Sequence, residues 1–227
     1  MKNILFSIII FFTLITSTFS HVNHYKDFTV LEYDLYRNNK LIGFHNYKFT
    51  REANNLNVKS KIEFNISKMG INLYKYQATS EEIYENENLI NFSSKTNQNK
   101  KEKYVNIIFD RENNELNVDG SSYKGKASND FIVGTWWNHE IVKAKAQISA
   151  VSGRIIPQKV IFIGKEEINV NGVKYNTLHF KFLSSKKDTP DKKKLNIDIW
   201  YDEKTKIWIK AAFDKTGYWE YRLKLKK

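Results

Sequence analysis

The sequence predicts a mainly β protein: a long curved antiparallel meander, a half-barrel or near-barrel, with one central α-helix at about residues 135–147. Three observations carry this. Residues 56–66 place Leu56, Val58, Ser60, Ile62, Phe64 and Ile66 on one face and Asn57, Lys59, Lys61, Glu63 and Asn65 on the other, the period of two of a half-buried strand. Short Asn-rich turns recur between apolar runs about one strand long. A single stretch, 130–147, abandons that rhythm for apolar positions three to four residues apart.

Taken in order, Leu31, Tyr33 and Leu35 alternate with Glu32 and Asp34, and Asn38-Asn39 is short enough to close a hairpin onto the strand beginning near Leu41. Further turns fall at Asn54-Asn55, Asn86-Glu87-Asn88, 97–100 and 112–114. In the stretch that breaks the pattern, Ile132, Val133, Trp136, Trp137, Glu140, Ile141 and Ala144 suit an amphipathic helix. Thr135 is its expected cap, and Gly153 with Pro157 terminates the segment beyond it. Strands then resume at 160–163, 168–170 and 174–183, the last two flanking Asn171-Gly172, the strongest two-residue hairpin signal in the chain. A final meander occupies 195–201, 207–213 and 218–225. An outer-membrane barrel fits less well, because Lys59, Lys61 and Glu63 stand where a lipid-facing band would be apolar.

Residues 1–20 read as an address. Met1-Lys2-Asn3 leads into a nearly unbroken apolar run, 4–15, too short to span a bilayer, which takes roughly 20 apolar residues. Thr18 and Ser20 are the small side chains that precede a signal-peptidase cut, expected at Ser20-His21. The expectation is a signal peptide at 1–20 and one β-rich domain at 21–227, periplasmic or secreted; the alternative is a retained N-terminal anchor. There is no cysteine, so disulfides, thiolate metal sites and a lipid-modified Cys anchor are excluded.

The formal charge of +12 favours anionic partners. Abundant Lys, Asn and Ile with scarce Gly and Pro is also what AT-rich coding would produce. The lysine-dense stretch 184–194, with Lys186, Lys187, Lys192, Lys193 and Lys194, could touch an anionic membrane surface, or be a solvated hairpin tip. No recognition motif accompanies the charge, so nucleic acid is not an expected partner.

Chemistry-bearing motifs are few. His139 and Glu140 are neighbours and would not share a helical face, and the second His of a His-Glu-x-x-His zinc motif would fall at Lys143. Gly120-Ser121-Ser122 is no nucleophile elbow, and no phosphate-cradling glycine loop is present. The expectations are therefore a protein that is not an enzyme, with no catalytic residue, metal site or cofactor. Aromatic residues make up 15% of the chain. Among them Tyr74, Tyr76, Trp136, Trp137 and Trp200 are candidates to line a cavity for a lipid or other apolar ligand, or simply to fill a cysteine-free core.

Leu41-Ile42-Gly43-Phe44-His45, Leu73-Tyr74-Lys75-Tyr76 leading to Glu81-Glu82, Thr135-Trp136-Trp137-Asn138, and Ile199-Trp200-Tyr201-Asp202 before Trp208 occur in that order over nearly all of the expected mature chain. In this the sequence resembles the exported proteobacterial proteins grouped as domain-of-unknown-function family 6134. The resemblance implies export and a β-rich fold and nothing about catalysis. The functional expectation is a periplasmic non-enzymatic protein that binds a lipid or other apolar ligand inside a curved sheet. The alternative is an envelope interaction or scaffold protein with a filled core.

Overall fold

In the computed structural model, which describes residues 27–185 and 194–227, backbone hydrogen bonds link fifteen strands into one sheet. The chain runs through β1 (Val30–Arg37), β2 (Lys40–Glu52), β3 (Asn55–Lys68), β4 (Ile71–Glu85), β5 (Asn88–Gln98), β6 (Lys101–Asp110), β7 (Glu115–Gly120) and β8 (Tyr123–Ser128). A short inner segment follows, with β9 (Ile132–Val133), one 3-10 turn (His139–Val142) and β10 (Ala146–Ile148). The chain then returns through β11 (Ile155–Val170), β12 (Val173–Ser184), β13 (Asn196–Asp202), β14 (Trp208–Asp214) and β15 (Tyr218–Lys226). The spatial order is β8 back to β1, then β15 back to β9. The β9–β10 pair is parallel and the other ladders are antiparallel. The expected curved meander is thus present as an open sheet, since β8 and β9 end it without pairing to each other.

Turn chemistry sets the registers. Five two-residue connections have positive φ at both central positions: Asn38-Asn39 (49°, 61°), Met69-Gly70 (50°, 77°), Asn86-Glu87 (46°, 71°), Asn99-Lys100 (48°, 69°) and Asn171-Gly172 (52°, 84°). That geometry matches the right-handed twist of the flanking strands. Asparagine and glycine tolerate it best, which is why an Asn-rich chain makes so many tight hairpins.

Two apolar clusters form the core. The larger spans β1–β4 and β12–β15 and includes Leu31, Tyr33, Tyr47, Phe182, Ile199, Tyr201 and Trp208. The smaller joins Phe92, Val105, Ile107, Leu116, Val118 and Ala127, from β5–β8, to Val133 and Ile148, from β9 and β10. The sheet therefore curls until one of its ends lies against the inner face of the other. Contact there is close: a Cβ on Gly120 would sit 2.7 Å from Ser152 O, so only glycine lets the 149–153 turn approach β7 this far.

The helix expected at about 135–147 does not form. Trp136 is left-handed, with φ 62°, only His139–Val142 makes a 3-10 turn, and 146–148 is a strand buried on both faces. Asn138, not Thr135, caps the turn, its side chain accepting from Glu140 N at 3.0 Å. Carbonyls that a helix would use internally are taken by side chains of the sheet. Tyr47 Oη donates to Thr135 O (2.5 Å), Tyr201 Oη to Trp136 O (3.0 Å), and Gln158 Nε2 to Ile141 O (2.8 Å) and Ala144 O (3.0 Å). The three-to-four spacing reflects an irregular segment buried from several sides.

Candidate functional site: a cavity under Trp136

The inner face of β3–β5 differs from its surroundings. Across the three strands, Ser60 pairs with Ser80 and Ser80 with Ser94; beside them Ile62 pairs with Ala78 and Ala78 with Thr96. Apart from Val58 and Ile62, the large inward side chains lie towards the strand ends, at Leu56 and Phe64, Tyr76 and Tyr84, and Phe92. Small residues in the middle of three adjacent strands leave a hollow that the inner segment roofs over. The result is a cavity of about 210 Å³. Its floor is Ser60, Ile62, Tyr76, Ala78, Thr79, Ser80, Ser94 and Thr96; its roof is Gly134, Thr135, Trp136, Ala150 and Val151; His45 and Tyr221 complete the wall.

Trp136 is held in place against its own preference. A left-handed backbone costs a bulky L-residue about 1–2 kcal/mol, and here Tyr201 Oη donating to Trp136 O fixes that peptide. The indole meets Trp208 and Tyr221 edge to face, with centroids 5.4 and 5.5 Å away. Its Nε1 is buried and has no protein acceptor. Burying such a donor unpaired costs about 1–3 kcal/mol. His45 stacks obliquely on Tyr47 (4.3 Å) and is half-buried because the cavity borders it, while its Nδ1 is buried without a partner. Burial pulls the His45 pKa down to about 3, so the ring is neutral at pH 7. Burial also raises Tyr76, to about 12, and Tyr221, which keeps both hydroxyls protonated. The cavity thus carries no ionised group at neutral pH.

One inward strand position from Ser80, Glu82 is fully buried behind the cavity. It accepts from Tyr84 Oη at 2.7 Å and from Trp137 Nε1 at 2.8 Å. Burial nevertheless outweighs these bonds and pushes its carboxyl up to about 7. It does not itself line the cavity, and through Trp137 it ties the inner segment to β4.

The sequence candidates separate accordingly. Trp136 and Tyr76 line the cavity, and Trp137 is fully buried beside it in the core. Tyr74 stacks on Phe64 at 5.9 Å outside the cavity wall. Trp200 lies on the opposite face of the sheet, stacked on His179 (4.3 Å) and donating to Glu166 Oε1 (2.6 Å). His139 is buried against Tyr201 (4.7 Å), and Glu140 pairs with Lys143 at 3.2 Å. Sequence reading missed His45, Tyr221, Glu82 and the small-residue floor. Ser60 on the apolar phase of β3 was the visible signal. Hollows of about 530 and 610 Å³ on the outer face are open troughs between long side chains such as Lys61, Lys95 and Glu81.

A family model described as a domain of unknown function (DUF6134) matches residues 33–224, strand β1 to strand β15. The chain belongs to this family. The cavity and the inner segment of this DUF6134 member both lie within the matched span. Among solved structures it is similar to a β-barrel-like protein of domain of unknown function DUF1849 from Brucella abortus. The TM-score is 0.59 at 11% identity, over 87% of this chain and 96% of that one, a likeness of fold alone. A DUF1329 family protein from Desulfovibrio piger also matches, at 11% identity over 91% of this chain and 89% of that one, with a TM-score of 0.19, too low to equate the folds. No curated protein matches the DUF6134 chain significantly.

Among the described residues no three His, Asp or Glu side chains are grouped to hold a metal ion, and no helix is long and apolar enough to cross a membrane. The expected signal peptide at 1–20, with its cut at Ser20-His21, lies outside the described residues, as do Lys186, Lys187, Lys192 and Lys193.

Proposed function

We propose that this protein is a non-enzymatic binding protein of the cell envelope, taking a small apolar ligand, or one end of a larger one, between the curved sheet and the Trp136 segment. The observation that supports this reading is the 210 Å³ cavity, floored by small side chains and set beside a packed aromatic core. Pockets for drug-sized ligands run to about 300–1,000 Å³, so a whole acyl chain laid along the sheet is too large. Fully buried Trp137, Ile141 and Trp208 occupy the rest of the space such a chain would need. The absence of any recognisable nucleophile or metal motif from the sequence supports a binding role over catalysis.

A filled core also supports the second reading, an envelope interaction or scaffold protein. The two part under native mass spectrometry of protein released gently from its own envelope. A binding protein shows a small-molecule adduct that Ala78→Leu, which fills the cavity floor, abolishes without lowering thermal stability. A bare mass for the wild type, with no stabilisation by any apolar compound, leaves the scaffold reading.

A further inference from the structure

We propose that the tip of the β3–β4 hairpin, Met69 and Ile71 with the lysines around them, docks this protein onto an anionic lipid surface. This goes beyond the ligand-binding reading and holds whether or not the cavity is occupied.

The hairpin overshoots its neighbours. The last ladder pairs on either side are Gly43 with Phe64, on β2, and Tyr76 with Gln98, on β5. Past them β3 and β4 pair only with each other, from Asn65 with Lys75 to Lys68 with Ile71, a projection of about 13 Å at about 3.3 Å per residue. Asn99 braces its base, the side chain donating to Leu73 O at 3.2 Å and accepting from Lys75 N at 2.7 Å.

The tip is apolar where its geometry favours a polar residue. Its turn, Met69-Gly70, has positive φ at both positions, and the other four turns of this kind place Asn first, at Asn38, Asn86, Asn99 and Asn171. Asn tolerates the left-handed backbone because its short amide can bond locally, an advantage a thioether lacks. Met69 nevertheless takes that place and is 91% exposed, so its side chain adds nothing to the core. Ile71, at 65%, follows it, and the two are the most exposed large apolar side chains among the described residues. Leu73 beside them is exposed too, as is Leu41 at the same end of the sheet.

Charge names the occupant. Exposed Lys40, Lys68, Lys75, Lys100 and Lys101 stand on the turns and strand ends of that end, where Glu102 is the one carboxylate among residues 38–41, 67–75 and 98–102. None of these lysines pairs with a carboxylate among the described residues. The opposite end of the same strands reverses the sign: residues 51–55, 85–88 and 110–115 hold Glu52, Glu85, Glu87, Asp110, Glu112 and Glu115 against Arg51 and Arg111. Apolar side chains can sink to the acyl boundary while flexible lysine stems keep their ammonium groups among the phosphates, the chemistry of an interfacial anchor. A second copy of this chain would bring the same positive end to the contact, so like charges oppose tip-to-tip pairing.

The test is binding to lipid vesicles by protein purified from its own envelope. The chain has no cysteine, so Met69→Cys and, at the opposite end, Glu112→Cys each accept one environment-sensitive dye. With vesicles of equal parts phosphatidylglycerol and phosphatidylethanolamine, the dye at position 69 should shift to the blue and that at 112 should not. With phosphatidylcholine alone neither should shift, and added salt should weaken the binding. Met69→Asn should melt no lower than the wild type and bind the anionic vesicles about tenfold more weakly, burial of one such side chain being worth at least that. Lys68→Gln combined with Lys75→Gln should bind more weakly and lose part of the salt dependence. Binding that Met69→Asn leaves unchanged, equal binding to phosphatidylcholine, a dye at 69 that stays in water on bound vesicles, or no binding at low salt overturns the proposal. Dimers of the free protein that Met69→Asn abolishes would overturn it as well, by assigning the tip to a second copy.

Discussion

The inner face of the sheet has two halves built on the same antiparallel ladder, and they are filled in opposite ways. Across β1 and β12–β14 the inward positions hold Tyr33, Phe182, Ile199, Tyr201 and Trp208, all without exposure, and Tyr33 stacks on Trp208 at 4.1 Å. Across the middle of β3–β5 the equivalent positions hold Ser60, Ala78, Ser80, Ser94 and Thr96. Backbone spacing is the same in both, so side-chain volume alone decides where the protein is solid and where it is hollow. The inner segment serves both halves from adjacent residues: Trp137 enters the packed core and Trp136 roofs the hollow.

The largest break in that comparison comes from the two tryptophans. Trp137→Ala empties a fully buried site and removes a donor from Glu82, so it should lower stability by about 3–5 kcal/mol. Trp136→Ala keeps the left-handed strain, which only glycine would relieve, but removes an unpaired donor from a half-buried site and should lower it far less. Urea unfolding of both variants checks this, and equal losses would show that the two halves are packed alike.

Next comes pH, through the carboxyl at the boundary of the halves. The folded pKa of Glu82 is about 7 and an unfolded glutamate titrates near 4.3. Between these values the unfolded chain has released a proton that the folded one still holds. Stability should therefore fall as pH rises from about 4.3 to 7, by about 4 kcal/mol in all, and then level off. His45 acts in the other direction: its folded pKa of about 3 means stability drains away as pH falls below about 6.5. Glu82→Gln should flatten the loss towards neutral pH and leave the acid loss in place. Thermal melts across pH 4 to 8 that coincide for variant and wild type would refute a buried, protonated Glu82.

A smaller contrast sharpens the volume argument itself. Ala211 is fully buried in the packed half, so Ala211→Leu should overpack it and destabilise by about 1–3 kcal/mol. Ala78→Leu adds the same atoms to the hollow half and should change stability by less than about 1 kcal/mol. Melting the two side by side reads the difference directly.

Much of this architecture was legible in the residues. Alternation along 56–66 gave β3 with its correct inner face, and Asn38-Asn39 and Asn171-Gly172 gave two hairpins, because period-two patterning and left-handed turn residues are local signals. The inner segment was not legible. Its apolar spacing imitates a helix, yet its conformation is decided by donors from Tyr47, Tyr201 and Gln158, which the local pattern cannot reveal. The cavity was half visible. Ser60 stood plainly on the buried phase, but its meaning depends on Ser80 and Ser94 arriving beside it, which only the registers reveal. Glu82 likewise sits on the inward phase of β4, opposite Val58, where a charged residue that is not exposed signals a buried partner.

The pairing of β1 with β15 shapes how the molecule assembles. Leu31 meets Lys226, and Thr29 N donates to Lys227 O at 2.6 Å, whereas β1 to β8 and β11 to β15 each pair with their own sequence neighbours. Two meanders can therefore zip up from hairpins, each closing small loops, before one ladder stitches them together across the longest loop in the chain. The stitch is entropically the dearest contact, so we predict that amides of β1 and β15 gain exchange protection after those of the β3–β4 and β11–β12 hairpins. Protection arriving first at β1 and β15 in pulse-labelled refolding would contradict this order.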